Sequence, residues 1–202
     1  MRLLTISILI LFSVVSCSLP TTKGLLEETL QQKTHIENPY FSLSKDYVYK
    51  TKIKAFGNKF GGFLVFKKIK GLNYRIVFTS SFGNKIFDFE KEKDKIITRF
   101  ILEEINKKAV IKLLKNDFLT LLKNKIEILQ TYKSKEDLVY KTKFNKKYNY
   151  YFIDNTTKKL KKIVTTSRYQ EKTLFTFKKE DKEIQIQHKK YPIEISLKLL
   201  DF

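Results

Sequence analysis

Tryptophan is absent from this chain, and cysteine, histidine, proline, glycine and arginine are scarce. A single cysteine excludes an internal disulfide, a zinc ribbon and an iron–sulfur site. Two histidines, His35 and His188, leave little material for a transition-metal centre or a catalytic triad. With six glycines and three prolines there is no Pro/Gly-rich linker. Nor is there a phosphate loop between a strand and a helix, since Gly57, Gly61 and Gly62 cluster around one predicted hairpin. No apolar run reaches the roughly 20 residues that a membrane-spanning helix needs. Arginine occurs only at positions 2, 75, 99 and 168, so 41 basic residues less these four leaves 37 lysines.

What is present is charge and aromatic surface. The 202 residues carry a formal charge of +20, with 42% hydrophobic and 14% aromatic residues. That apolar content offsets the ordering entropy of one folded domain and excludes a disordered basic tail. The charge raises nucleic-acid binding, but its composition argues otherwise. Arginine reads phosphates and bases bidentately, whereas lysine is a hydrated point charge. Abundant Lys, Asn, Ile, Phe and Tyr, with alanine only at Ala55 and Ala109, is the bias of an AT-rich genome, which gives much of the charge a mutational origin.

The N-terminus carries the compartment signal. Met1-Arg2 is a short positive segment and Leu3–Val15 an apolar run of signal-peptide length. Val14-Val15-Ser16-Cys17 resembles a bacterial lipobox, whose small residues fit a signal peptidase and whose thiol receives a diacylglyceryl group. Residues 1–16 are therefore expected to be a signal peptide, Cys17 the lipidated residue, and 17–22 a tether before a single domain over 23–202. Cleavage would leave 186 residues at +19, once Arg2 is lost. Two or three acyl chains anchor a protein effectively permanently, outside the cytoplasm and away from nucleic acid. Ser18 and Leu19 follow the anchor with no acidic residue, which favours the outer membrane, facing the periplasm.

The remainder reads as a mainly β (α+β) domain. Gly24–Gln32, with Leu25, Leu26 and Leu30, is expected as a short amphipathic helix. Strands are expected over 46–56, 60–69, 72–79, 85–90 and 95–102. Over 106–123 the period changes: Val110, Leu113, Leu114, Phe118, Leu121 and Leu122 share one helical face. Further strands are expected near 126–133, 137–144, 147–153, 159–168, 172–179, 183–188 and 193–200. Their alternation predicts a sheet with one apolar and one wet face, about eleven strands curved around the internal helix.

No catalytic constellation emerges, and no enzymatic activity, cofactor or metal is expected. Asp88, Glu90 and Glu92 alternate along one strand and read as solvated charge. His188 shares a face with Ile184 and Ile186 and reads as a core or rim residue. Asn155-Thr156-Thr157 matches a glycosylation sequon and is most simply a turn after Asp154. The turn Thr79-Ser80-Ser81-Phe82-Gly83-Asn84 is less ordinary. Ser, Gly and Asn suit a hairpin tip, but Phe82 must either fold back onto the core or protrude toward something apolar, such as a bilayer.

The order of elements, the stretch from Phe60 through Phe89, the helix ending Leu113–Leu122 and the final hairpin resemble the LolA/LolB-like family of lipoprotein-localisation proteins, the outer-membrane receptors LolB in particular. The resemblance implies an open half-barrel of about eleven antiparallel strands with helices over its concave face, enclosing an apolar cavity. It implies an outer-membrane lipoprotein that accepts acylated lipoproteins from a LolA-like periplasmic carrier and inserts them into the inner leaflet of that membrane. Ser81, Phe82 and Gly83 match the family's membrane-insertion loop, Phe82 standing at its exposed leucine. Ser81 occupies the place of a proline, and the tryptophans of relatives have no counterpart. Acyl-chain cavity candidates are Leu64, Phe66, Ile76, Phe78, Phe87, Phe89, Phe100, Leu113, Leu114, Phe118 and Leu121, with an ordinary packed core as the alternative. A diacylated cargo has about 30 methylenes, whose exposure would cost about 20 kcal/mol, so transfer would run from cavity to cavity, by a monomer. Other readings of such a chain are a structural or assembly accessory lipoprotein and a binder of a small apolar ligand.

Overall fold

The computed structural model describes residues 19–29, 33–41, 45–144, 147–168, 170–178 and 182–200. The signal-peptide reading and Cys17 lie outside these residues. Two short strands, β1 (Leu26–Glu28) and β2 (His35–Glu37), precede a meander of five: β3 (Tyr47–Ala55), β4 (Asn58–Lys68), β5 (Tyr74–Ser80), β6 (Lys85–Glu92) and β7 (Lys95–Ile101). One α-helix, α1 (Lys108–Leu121), follows. A second meander of seven completes the chain: β8 (Lys125–Lys133), β9 (Asp137–Phe144), β10 (Lys147–Asp154), β11 (Leu160–Thr166), β12 (Glu171–Lys178), β13 (Glu183–His188) and β14 (Ile193–Leu199).

All pairings are antiparallel and form one sheet, in the order β1-β8-β9-β10-β11-β12-β13-β14-β3-β4-β5-β6-β7, with β2 also on β8. The expected half-barrel of about eleven strands under covering helices is thereby corrected. Among the described residues the sheet has fourteen strands and α1 is the one α-helix. Much of the difference lies in the N-terminal segment. Within Gly24–Gln32, read as a helix, Leu26–Glu28 pairs instead with Thr131–Lys133, and His35–Glu37 pairs with Lys125–Glu127. The free edge of β8 offers a row of unpaired backbone groups, and satisfying them outweighs a weak local helix preference. The other strands and α1 fall within two residues of their expected bounds, because their apolar periods are long and unbroken.

The inner face of the sheet packs on α1. Phe118 meets the rings of Phe66, Phe87 and Phe89 at centroid distances of 5.6, 5.8 and 6.3 Å. Leu64, Ile76, Ile184, Ile186 and Leu197 are wholly buried in the same core. The outer face is not uniformly wet. Val139, Tyr150, Phe152 and Val164 form a second small core there, covered by Leu19 and Leu25 of the N-terminal segment.

Antiparallel register brings one set of turns to the same rim. Ala55 pairs with both Asn58 and Ile193, Ser80 with Gly62, and His188 with Thr173. The β3–β4 turn, the β5–β6 hairpin, the β13–β14 turn and the start of β12 therefore share this rim with the chain entering α1. The N-terminal tether reaches it too, since the Thr21 hydroxyl donates to Glu171 Oε1 at 2.8 Å.

Candidate functional site

The β5–β6 hairpin is built to hold a side chain away from the protein. Gly83 N–H donates to the Ser80 carbonyl at 3.0 Å and Ser80 N–H to the Asn84 carbonyl at 2.8 Å, closing a three-residue loop. Gly83, at φ +86°, supplies the left-handed residue such a loop needs. The Ser80 hydroxyl accepts from the Phe82 and Asn84 amides at 3.3 and 3.2 Å. Ser81, Phe82 and Gly83 are all exposed, and Phe82 is 93% exposed. Of the two outcomes open to that residue, the structure takes protrusion. Close approach at the base is secured by Gly62, where a Cβ would lie 1.8 Å from the Thr79 carbonyl oxygen.

Of the eleven cavity candidates, Leu64, Phe66, Ile76, Phe78, Phe87, Phe89, Leu114, Phe118 and Leu121 lie in the main core, filled by one another. Phe100 is 42% exposed on β7, with Lys85 Nζ 5.9 Å from its ring centroid. Leu113 is half-buried and lines an open cleft between α1 and strands β9–β13.

That cleft has two adjoining lobes of about 370 Å³ each. The inner lobe is bounded by Asp117, Thr120, Phe144 and Thr165, the outer by Ala109, His188 and Tyr191; Leu113, Asn116, Lys147 and Thr173 border both. At its floor His188 Nε2 lies 2.9 Å from Asp117 Oδ2 and Nδ1 lies 3.1 Å from the Ile193 carbonyl oxygen. Burial pushes the Asp117 carboxyl up. Burial alone would pull His188 down, but Asp117 and the Ile193 carbonyl outweigh it and leave the imidazole raised. Both directions mean that the pair binds a proton more tightly than the two groups do in water. Asp117 escaped the reading of the sequence. Its signal was there: it stands three residues after Leu114 and four before Leu121, on the apolar stripe of the helix.

A larger cavity, about 570 Å³, lies toward the opposite rim against Ile36, Leu138, Tyr140 and Ile153. Its border mixes Glu28 with Lys33, Lys133 and Lys158, and Lys133 is 3.9 Å from Glu28, so it presents no field of one sign.

Asp88 and Glu90 are not solvated charge. Asp88 is buried, held by Arg75 Nη2 at 2.9 Å and Lys85 Nζ at 3.1 Å, while Glu90 accepts from Arg75 Nη1 at 3.1 Å and Arg99 Nε at 2.8 Å. For Asp88 burial works against ionisation, but these cations prevail and hold its carboxyl below the usual carboxylate range. The network ties β5, β6 and β7 together behind the hairpin. The Asn155 sequon sits in a turn where Asp154 Oδ1 accepts from the Thr156 and Thr157 amides.

No family model matches the chain, and no curated protein matches it. Among solved structures it is similar to a DUF1329 family protein from Desulfovibrio piger, at 5% identity and a TM-score of 0.40, over 77% of this chain and 84% of that one. It is also similar to a domain from Vibrio parahaemolyticus named provisionally as an outer membrane lipoprotein-sorting protein domain, at 8% identity and a TM-score of 0.41, over 81% and 86%. Likeness at this level carries no argument about function.

Proposed function

We propose that the chain is an envelope lipoprotein, anchored through Cys17, that accepts acylated lipoproteins from a LolA-like periplasmic carrier and inserts them into the outer membrane. One observation supports this reading above the rest: Phe82 stands 93% exposed on a hydrogen-bonded hairpin tip, at the rim reached by the tether from the lipobox. A large apolar side chain held in water by a stiff turn gains about 2 kcal/mol on entering an apolar phase. The lysines near this rim add attraction to anionic headgroups, about 1 kcal/mol each close to a membrane surface. No chemical step is required, and transfer runs downhill in free energy to the bilayer.

The test is transfer of a radiolabelled lipoprotein from its carrier to liposomes by the full chain. The wild type is expected to take up cargo and deliver it; failure to take up cargo sinks the receptor reading. Phe82→Glu should leave uptake intact and slow delivery by about 30-fold, the equivalent of the lost burial. Equal delivery by the variant removes the hairpin from the mechanism.

A further inference from the structure

Lys108, Lys112, Lys147, Lys172 and Lys190 converge on the outer lobe of the α1–sheet cleft, and no carboxylate lines that lobe. The carboxylate of the inner lobe, Asp117, is buried and committed to His188. Some lysines elsewhere are matched, Lys161 with Asp137 at 2.9 Å and Lys85 with Asp88 at 3.1 Å, although basic residues outnumber acidic ones 41 to 21 in the chain. Among the described residues, none of the five cleft lysines is paired with a carboxylate.

We infer that this cleft is a phosphate-group site, shaped for the headgroup phosphate of a phospholipid at the surface to which the chain is tethered. Like charges gathered without a counter-ion destabilise a fold, and a bound dianion or phosphodiester reverses the sign of that cost. Lysine suits the task, because its compact ammonium meets phosphate as a point charge.

Three further observations converge on an anion. The first is the bare N-terminus of α1. Its N-cap, Lys107, makes no side-chain cap hydrogen bond, and its first turn holds no acidic residue. Lys108, Ala109 and Lys112 line the lobe, so it lies beside the positive end of the helix dipole as well as beside lysines. The second is Thr165, which lines the inner lobe, is 6% exposed, and whose hydroxyl has no hydrogen-bond partner among the described residues. An unsatisfied buried hydroxyl is expensive; this one has no accessible surface, so an anionic oxygen reaches and relieves it only on local opening of the inner lobe. The third is Lys147. Burial lowers its proton affinity, Asp117 opposes that, and Lys112 and Lys172 lower it further, as ammonium groups set near one another do.

Position favours a lipid as the source. Beside the lysines the floor is apolar, with Leu113, Ala109 and Tyr191, as an acylated headgroup requires. Thr21, bonded to Glu171 at this rim, is four residues from Cys17, at most about 14 Å of extended chain. The inference is independent of cargo uptake: a chain that never accepts a lipoprotein can still bind phosphate here.

The full chain, held in a phosphate-free maltoside detergent, is titrated by calorimetry with inorganic phosphate and with dihexanoyl phosphatidylglycerol. Saturable binding is expected, weakened about tenfold or more in Lys147→Gln/Lys172→Gln, the equivalent of one charge-assisted hydrogen bond. Lys50→Gln/Lys198→Gln, a like-charge pair on exposed positions of β3 and β14, should bind as wild type. Tighter binding of the lipid assigns the site to a headgroup, and tighter binding of inorganic phosphate assigns it to the free ion. The melting temperature of the cleft variant should equal or exceed that of the wild type, because repulsion is relieved, and this separates lost binding from lost fold. Absence of saturation with both ligands overturns the inference. So does equal affinity of the cleft variant and the wild type, or equal weakening of the control.

Discussion

Asp117 is a carboxylate on the one face of α1 that water does not reach, and the fold accepts it because His188 arrives from β13 at 2.9 Å. Removing one partner of such a pair leaves the other buried and unmatched, at a cost of about 3–5 kcal/mol. Asp117→Leu and His188→Leu should each destabilise by that amount, and the double variant by less than the sum, which chemical denaturation measures. The pH dependence has a definite sign. The native pair binds its proton more tightly than the unfolded chain does, so above the ordinary histidine value, about 6.5, the unfolded state holds fewer protons and stability falls as pH rises. A melting curve series from pH 6.5 to 9 should show that decline in the wild type and lose it in the double variant. The bond to His188 was not legible in the sequence, which spaces the two residues 71 apart; only the misplaced charge on the apolar stripe was.

Elements differ in how much of themselves they announce. Strands β3–β14 and α1 follow from apolar periods of two and 3.6, sustained over long segments. The strand at Leu26–Glu28 did not follow, because its leucines read locally as a helix and its partner, the edge of β8 at Thr131–Lys133, lies about 100 residues away in sequence. The hairpin at 80–84 was readable as a turn, and its apolar tip as an anomaly, but protrusion depends on hydrogen bonds around Ser80 that no local pattern specifies. The cleft was hidden for the same reason: its lysines come from α1, β10, β12 and the β13–β14 turn. Conversely, the nine residues read as a cavity are core, since a sequence pattern marks what faces inward and not whether anything fills the space. Gly62 has a role at this scale. A methyl group there would strike the backbone of Thr79, so β4 and β5 must separate to admit it. Gly62→Ala should lower stability by about 1–3 kcal/mol and shift the melting temperature downward, whereas Gly61→Ala, with open space around it, should be nearly neutral.

The whole molecule is two meanders joined edge to edge. Within each, every strand pairs with its sequence neighbour; between them, the register of Tyr49–Ala55 against Ile193–Leu199 is the one seam in the main sheet. Closing it brings together residues about 140 positions apart, and the loop entropy for that is spent before any of its contacts repay it. The two meanders should therefore form first and the seam after the rate-limiting barrier. Ile53→Val, which trims the seam contact with Ile195, should raise the unfolding rate and leave the folding rate unchanged in stopped-flow measurements, whereas Val65→Ala in the first meander should slow folding. A chain delivered N-terminus first accordingly keeps the outer edge of β3 unsatisfied until its last strand has arrived, and for that interval β3 is the edge through which two copies would pair wrongly.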